Sequence, residues 1–238
     1  MKEKSILRWF WPEVCPFCGR VSRRGICVQC EVRVRKLETN EPKCMKCGKP
    51  FRYKEQEYCH DCMHTQHYFD RGAAVWLHKE PVNFSIYQFK YHNQRIFGKY
   101  YAAEMVKKYR NTLLKWKPDI IVPIPLHCRK LRKRGYNQSA IVAKELGEYL
   151  GIAVDTKGFR RVRGTVPQKG LAPAKRRMNL GGAFSVSGYL RTAMKGKTVL
   201  LIDDIYTTGS TMDEAARTLK REGAEKVFYL TISIGQGY

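Results

Sequence analysis

Two groups of residues in this chain have the types and spacing of a chemical site. The first is Val199-Leu-Leu-Ile-Asp-Asp-Ile-Tyr-Thr-Thr-Gly-Ser-Thr211, an apolar run ending in two carboxylates, then a hydroxyl-rich loop around one glycine. Asp203 and Asp204 at a strand end can accept hydrogen bonds from two vicinal sugar hydroxyls, or hold Mg²⁺ through water. Thr207, Thr208, Ser210 and Thr211 add hydroxyls, and Gly209 lets the main chain approach an anion closely. A helix predicted from Asp213 to Glu222 carries Met212, Ala215, Ala216 and Leu219 along one face. The loop therefore opens a helix, whose free N–H groups and positive dipole end bind phosphate. The combination reads as a cradle for a phosphorylated pentose.

The second group is eight cysteines in four C-x-x-C pairs: Cys15/Cys18, Cys27/Cys30, Cys44/Cys47 and Cys59/Cys62. A C-x-x-C knuckle aims two thiolates at one point, and four thiolates complete a tetrahedral Zn²⁺. Gly19 and Gly48 directly follow the second cysteine of their knuckles, as the tight turn requires. A ribbon this small has little core, so two structural zinc ions would supply its folding energy. Sequential sharing (15/18/27/30 and 44/47/59/62) is the simplest scheme, and a crossed scheme stays open. Disulfides and iron–sulfur clusters are the competing accounts of the same residues. His60 and His64 are expected as surface residues rather than ligands, and Cys128 as a packed or loop thiol. Arg20, Arg23, Arg24 and the run Arg33 to Lys36 give the ribbons either a nucleic-acid face or a plain docking role.

The elements that must position these groups alternate from Gly72 onward. Strands are predicted near 73–78, 120–124, 198–203 and 226–234, with one or two helices across 83–112 and one from Asn137, its cap, to Leu150 before Gly151. Short extended pieces lie near 159–163 and 183–187. This is a doubly wound α/β plan, with its ligand site outside the carboxyl ends of the strands. The expected division is residues 1–70 as a double zinc ribbon and 71–238 as the α/β domain, with the boundary near His67 to Arg71.

Charge separates the two parts. Residues 71–238 hold 31 basic and 12 acidic side chains, against 14 and 9 in residues 1–70. Zinc thiolates would neutralise most of the front's excess, leaving polyanion affinity on the larger domain. No stretch is apolar enough to span a bilayer, and Trp9-Phe10-Trp11 is too brief for a signal-peptide core, so a cytoplasmic address is expected. Two basic segments face the predicted site. Pro123 to Ser139 joins a strand to a helix and carries Arg129, Lys130, Arg132, Lys133 and Arg134. Arg161 to Phe184, with Gln168, Arg176 and Arg177, is glycine- and proline-punctuated, as a loop closing over an anionic ligand would be.

The acid pair with its TTG-x-T loop resembles the PRPP-binding motif of type I phosphoribosyltransferases and matches all its positions. Together with the paired knuckles, the Arg134-Gly-Tyr-Asn-Gln138 run, and the Arg-x-x-Gln and Arg-x-x-Asn segments at 165–179, it resembles the ComF family of competence proteins along nearly the whole chain. The resemblance implies a type I phosphoribosyltransferase-like fold and a role in natural transformation, where single-stranded DNA enters the cytoplasm with the help of a helicase and DNA-processing proteins. It also implies PRPP and Mg²⁺ at Asp203, Asp204 and 207–211. In that family of folds the loop after the second strand binds pyrophosphate, so the 129–134 cations would serve pyrophosphate or DNA.

Two activities compete. One is displacement of pyrophosphate from C1 of PRPP by a base, with Arg134 and Arg176 or Arg177 on the leaving group. Purine-salvage members place an acid three residues after the second acid, and here that residue is Thr207, which disfavours a 6-oxopurine acceptor. Tyr87, Phe89 and Tyr136 are the only residues offered as a nucleobase hood, and each reads better as packing. The other activity is binding without turnover, with single-stranded DNA held on the basic face. The charge excess favours this second activity.

Overall fold

The computed structural model describes residues 14–22, 25–51, 55–163 and 181–235. The front forms two knuckled ribbons closed by the antiparallel bridges Val14 to Val21 and Lys43 to Pro50. Gly19 and Gly48 turn with φ of +72° and +75°, which a residue with a Cβ rarely adopts. Short helices α1 (Val28–Arg35) and α2 (His60–His64) start directly after Cys27 and Cys59.

Beyond the ribbons the chain runs β1 (Arg71–Leu77), α3 (Val82–Tyr91), α4 (Phe97–Trp116), β2 (Ile120–Pro123), α5 (Cys128–Arg134) and α6 (Gln138–Leu150). It continues through β3 (Ala153–Val154), β4 (Phe159–Arg161), β5 (Phe184–Val186), α7 (Gly188–Met194), β6 (Thr198–Tyr206), α8 (Ser210–Arg221) and β7 (Lys226–Ile234). Five strands make one parallel sheet in the order β1-β7-β6-β2-β3, while β4 and β5 pair antiparallel apart from it. Buried on both faces, the strands read as apolar runs rather than alternating ones. Leu200 and Ile202 face a core with Ala102, Met105 and Leu146, whereas Val199 and Leu201 face Met212, Ala215, Ala216 and Leu219 of α8.

After β2 the chain goes to β3 on one side, and after β6 it goes to β7 on the other. The crevice between the carboxyl ends of β2 and β6 is thus the switch point where such sheets bind ligands. The ribbons share the sheet's core. Phe17 sets its ring edge on Trp76 at 5.8 Å and on Tyr100 at 5.7 Å. Thr39 N–H donates to Val75 O at 3.0 Å, and the Thr39 hydroxyl bonds Ala74 O, fastening the chain between the ribbons to β1.

Several expectations need correction. The motif strand does not stop at Asp203 but runs to Tyr206, because Ile205 and Tyr206 keep pairing with Ser233 and Ile234. Its helix starts at Ser210 rather than Asp213, so only Thr207 to Gly209 form the connecting loop. Helices α5 and α7, like α1 and α2 of the ribbons, were not expected. The basic α5 has no apolar period to announce it and is defined by its ends: the His127 side chain accepts from Arg129 N–H, and Gly135 turns left-handed at φ +79°. Cys128, expected as a packed or loop thiol, lies exposed at the start of α5.

Candidate functional site

The metal groups resolve the pairing question. The sulfurs of Cys15, Cys18, Cys27 and Cys30 lie within 4.8 Å of one another, as do those of Cys44, Cys47, Cys59 and Cys62. Sharing is therefore sequential, and none of the nine cysteines is in a disulfide. Cys18 and Cys27 sulfurs stand 3.7 Å apart and those of Cys47 and Cys59 3.6 Å apart. Zn–S bonds of about 2.3 Å in a tetrahedron need sulfurs about 3.8 Å apart, so both sets fit zinc. His60 and His64 belong to neither group; their rings lie 4.3 Å apart and His64 Nδ1 bonds the His60 carbonyl at 2.8 Å.

The acid pair lies on β6 beside the start of α6. Asn137 caps that helix by accepting from Ser139 N–H, and its amide donates to Ile124 O at 3.0 Å, which fixes the helix against the end of β2. Ser139 hydroxyl donates to Asp203 Oδ1 at 2.8 Å, and Asp204 N–H donates to the same oxygen at 2.9 Å. Burial, then the neighbouring Asp204 charge, pushes the Asp203 carboxyl up to about 7 against the pull of these donors and Lys90. Asp204 is held from two sides: Lys90 Nζ stands 2.7 Å from Oδ1, and the Gln138 amide donates to Oδ2. Arg134 in turn donates to Gln138 Oε1, extending the chain of bonds outward. His78, bonded through Nδ1 to Ser233 Oγ at 3.0 Å, is held below its usual pKa by burial and then by Lys90.

Beside the acids the loop turns on Gly209, whose φ is +80°; a Cβ there would come within 2.3 Å of Tyr206 Oη. The N-cap of α8 is Gly209, which has no side chain to cap it, so among the described residues the first-turn N–H groups are open to an anion. The Thr208 and Ser210 hydroxyls lie 3.0 Å apart at the same end, Thr207 is exposed, and Thr211 is half-buried. Tyr206 leaves no room for a side chain at 209, so the loop presents bare main chain there, as close approach to a phosphate needs.

Around it the cations divide. Arg134, Lys130 and Lys133 of α5 line a cleft with Lys90 and Arg95. Arg161 is partly buried over the Phe184 ring at 5.6 Å, its pKa lowered by burial against the raising field of Asp203. Arg129 and Arg132 are exposed on α5 and outside the cleft lining. Gln168, Arg176 and Arg177 fall outside the described residues. Of the aromatic residues, Phe89 is fully buried, Tyr136 borders the cleft, and Tyr87 is exposed rather than packed. Sequence reasoning missed Lys90 and Ser139 and used Gln138 only as a family marker. The available signal for Lys90 was a lysine placed between two aromatic residues, Phe89 and Tyr91, in a short apolar helix.

A parallel sheet with this acid pair and glycine loop at its switch point, fronted by two four-cysteine ribbons, defines a phosphoribosyltransferase-fold protein with a double zinc ribbon. Residues 6–63 match the double zinc ribbon domain family, and residues 91–233 match the phosphoribosyl transferase domain family. The chain is 30% identical over 213 residues to competence protein F of Haemophilus influenzae, covering 87% of this chain and 89% of that one. It is 31% identical over 223 residues to the DNA utilization protein YhgH of Salmonella typhimurium, covering 91% and 94%. Competence protein ComFC of Bacillus subtilis is 23% identical over 211 residues, covering 83% and 79%. The chain belongs to this competence protein F family. Among the described residues no helix is long and apolar enough to cross a membrane.

Proposed function

We propose that this protein handles single-stranded DNA in the cytoplasm during DNA uptake, with a sugar-phosphate pocket that takes PRPP and Mg²⁺. The observation that carries the reading is the juxtaposition at one switch point of two acids, an uncapped helix N-terminus entered through Gly209, and a basic cleft. Asp203 and Asp204 would hold the ribose hydroxyls and, through water, the cation. The N–H groups and hydroxyls of residues 207–211 would hold the 5′-phosphate, and Arg134 with Arg161 would face the pyrophosphate. Relatives named for competence and for DNA utilization support the biological setting. A competence helicase and a DNA-processing protein are the protein partners this setting supplies.

Lys90 Nζ, 2.7 Å from Asp204 Oδ1, offsets the charge of that carboxylate. Phosphoribosyl transfer to a base is the second activity the same pocket allows, and Thr207 leaves it without the purine-type proton acceptor.

Calorimetric titration with PRPP and Mg²⁺, alongside an assay of pyrophosphate release with candidate bases, tests both. Saturable binding that Asp204→Asn abolishes supports the pocket. Identical PRPP affinity in wild type and in Asp203→Asn and Asp204→Asn would remove it.

A further inference from the structure

The solvent face of α3 carries Phe84, Tyr87 and Tyr91 at helical spacing, 41%, 52% and 62% exposed. Packing does not account for them, because the opposite face of the same helix already buries Val82, Ile86 and Phe89. Their rings adjoin: Tyr87 lies 5.0 Å from Tyr91 and 5.4 Å from His92. At the carboxyl end of α3 the stripe meets a cleft of about 590 Å³ lined by Lys90, Arg95, Lys130, Lys133 and Arg134. Tyr91 and Tyr136 border the same cleft, and no carboxylate lines it among the described residues. Guanidinium groups already cover both rings, Arg134 over Tyr91 at 5.0 Å and Arg95 over Tyr136 at 4.7 Å.

We infer that the aromatic face of α3 and this adjoining cleft form the track for single-stranded DNA, with bases stacked on Tyr87 and Tyr91 and phosphates on the cleft cations. The inference rests on the single-strand reading above and gives it a location. Exposed rings interleaved with cations are the arrangement that holds single strands without reading sequence, since every base has a π-face and every linkage a charge. A duplex hides its base faces in the stack and would meet only the cations. Charge also decides between occupants of the stripe: a second copy would bring its own five cations against these five, whereas a polyanion neutralises them.

The test is fluorescence anisotropy of the full-length protein with a labelled thymidine 20-mer, and with an abasic strand of equal length, across a salt series. Tyr87→Ala and Tyr91→Ala are each expected to weaken the thymidine strand about 5- to 100-fold, with the salt slope unchanged. On the abasic strand the same substitutions should change affinity less than about twofold. Lys133→Ala should weaken both strands alike and lower the slope by about one unit. Tyrosine variants that bind the thymidine strand like wild type overturn the track while leaving single-strand binding in place. Wild-type protein that binds no strand overturns both readings. Tyrosine variants that alter only the sedimentation coefficient make the face a self-association surface and also overturn the track.

Discussion

The two four-cysteine groups share a motif and fit one metal, yet they support different parts of the molecule. The first leaves Cys18 exposed and inserts Phe17, with buried Cys15 and Cys30, into the core around Trp76 on the α4 side of the sheet. The second buries Cys44, Cys47 and Cys59 on the opposite side, in one cluster with Phe69, Tyr206 and Tyr229. There the Tyr229 hydroxyl donates to the Cys47 carbonyl at 2.8 Å, and Tyr206 stacks on Tyr229 at 4.9 Å with ring planes 7° apart. Tyr206 directly precedes the loop, and its hydroxyl fills the space a side chain at position 209 would need. The difference teaches that identical four-cysteine knuckles act as a clamp in the first ribbon and as the foundation of the glycine loop after β6 in the second.

Breaking the second group should have the largest effect. Structural zinc contributes on the order of 10 kcal/mol in small ribbons, so Cys47→Ser is expected to lose that zinc and all measurable PRPP binding. Should the variant not stay folded, stepwise chelation of wild-type protein provides the second measurement. Near-ultraviolet circular dichroism of the stacked tyrosines should change with release of one zinc and not of the other. Release of both zinc ions with PRPP affinity intact would end the comparison.

Gly209→Ala comes next and attacks the same contact from the loop side. The new Cβ meets Tyr206 Oη at 2.3 Å and Cζ at 2.8 Å, at a φ of +80°. A loss of about 1–3 kcal/mol of stability is expected, with PRPP binding reduced at least about tenfold. Adding Tyr206→Phe removes the closest atom and should recover part of both losses. No recovery in the double variant would mean that backbone strain alone accounts for the glycine.

Asp203→Asn acts on stability with the opposite sign. Both hydrogen bonds to Asp203 end on Oδ1, so an amide oxygen can accept them unchanged. With the folded pKa raised to about 7, the unfolded chain releases its proton first. Stability therefore falls as pH rises from about 4 to 7 and stays low above it. The asparagine variant should match wild type near pH 4 and exceed it by about 2–4 kcal/mol above pH 7, read from urea unfolding at both pH values. A variant less stable than wild type at pH 8 would show that the carboxylate is stabilised in place.

The parts of this arrangement that follow from local chemistry were legible in the sequence. The C-x-x-C-Gly knuckles, the apolar strand at 226–234, the Asn137 cap and the Gly151 stop all occur where expected, because each depends on neighbours in the chain. Sequential cysteine sharing had to be read from the structure, since spacing allows either scheme. The Lys90 and Asp204 pair and the stack from Cys47 to Gly209 join residues far apart in the chain, and no periodicity encodes them. Helix α5 escaped because a basic run offers no apolar face to count, and β6 ran past its acids because pairing with β7 outweighed the polar pair.

The smallest expected effect on PRPP affinity sharpens the comparison most. Cys18→Ser should reduce bound zinc from two per chain to one, measured by metal analysis, and lower the unfolding temperature as the Phe17 contacts with Trp76 and Tyr100 loosen. PRPP affinity should nevertheless stay within about twofold, which is under about 0.5 kcal/mol. The reason lies in the sheet: the first ribbon packs on the face with Leu200 and Ile202, while Tyr206, Tyr229 and the base of the loop pack on the other. Contacts more than about 7–10 Å apart that share no partner act nearly independently unless the strand itself shifts. A tenfold loss of PRPP affinity in Cys18→Ser would mean that β1 carries the disturbance through β7 to β6, and the two ribbons would then form a single support.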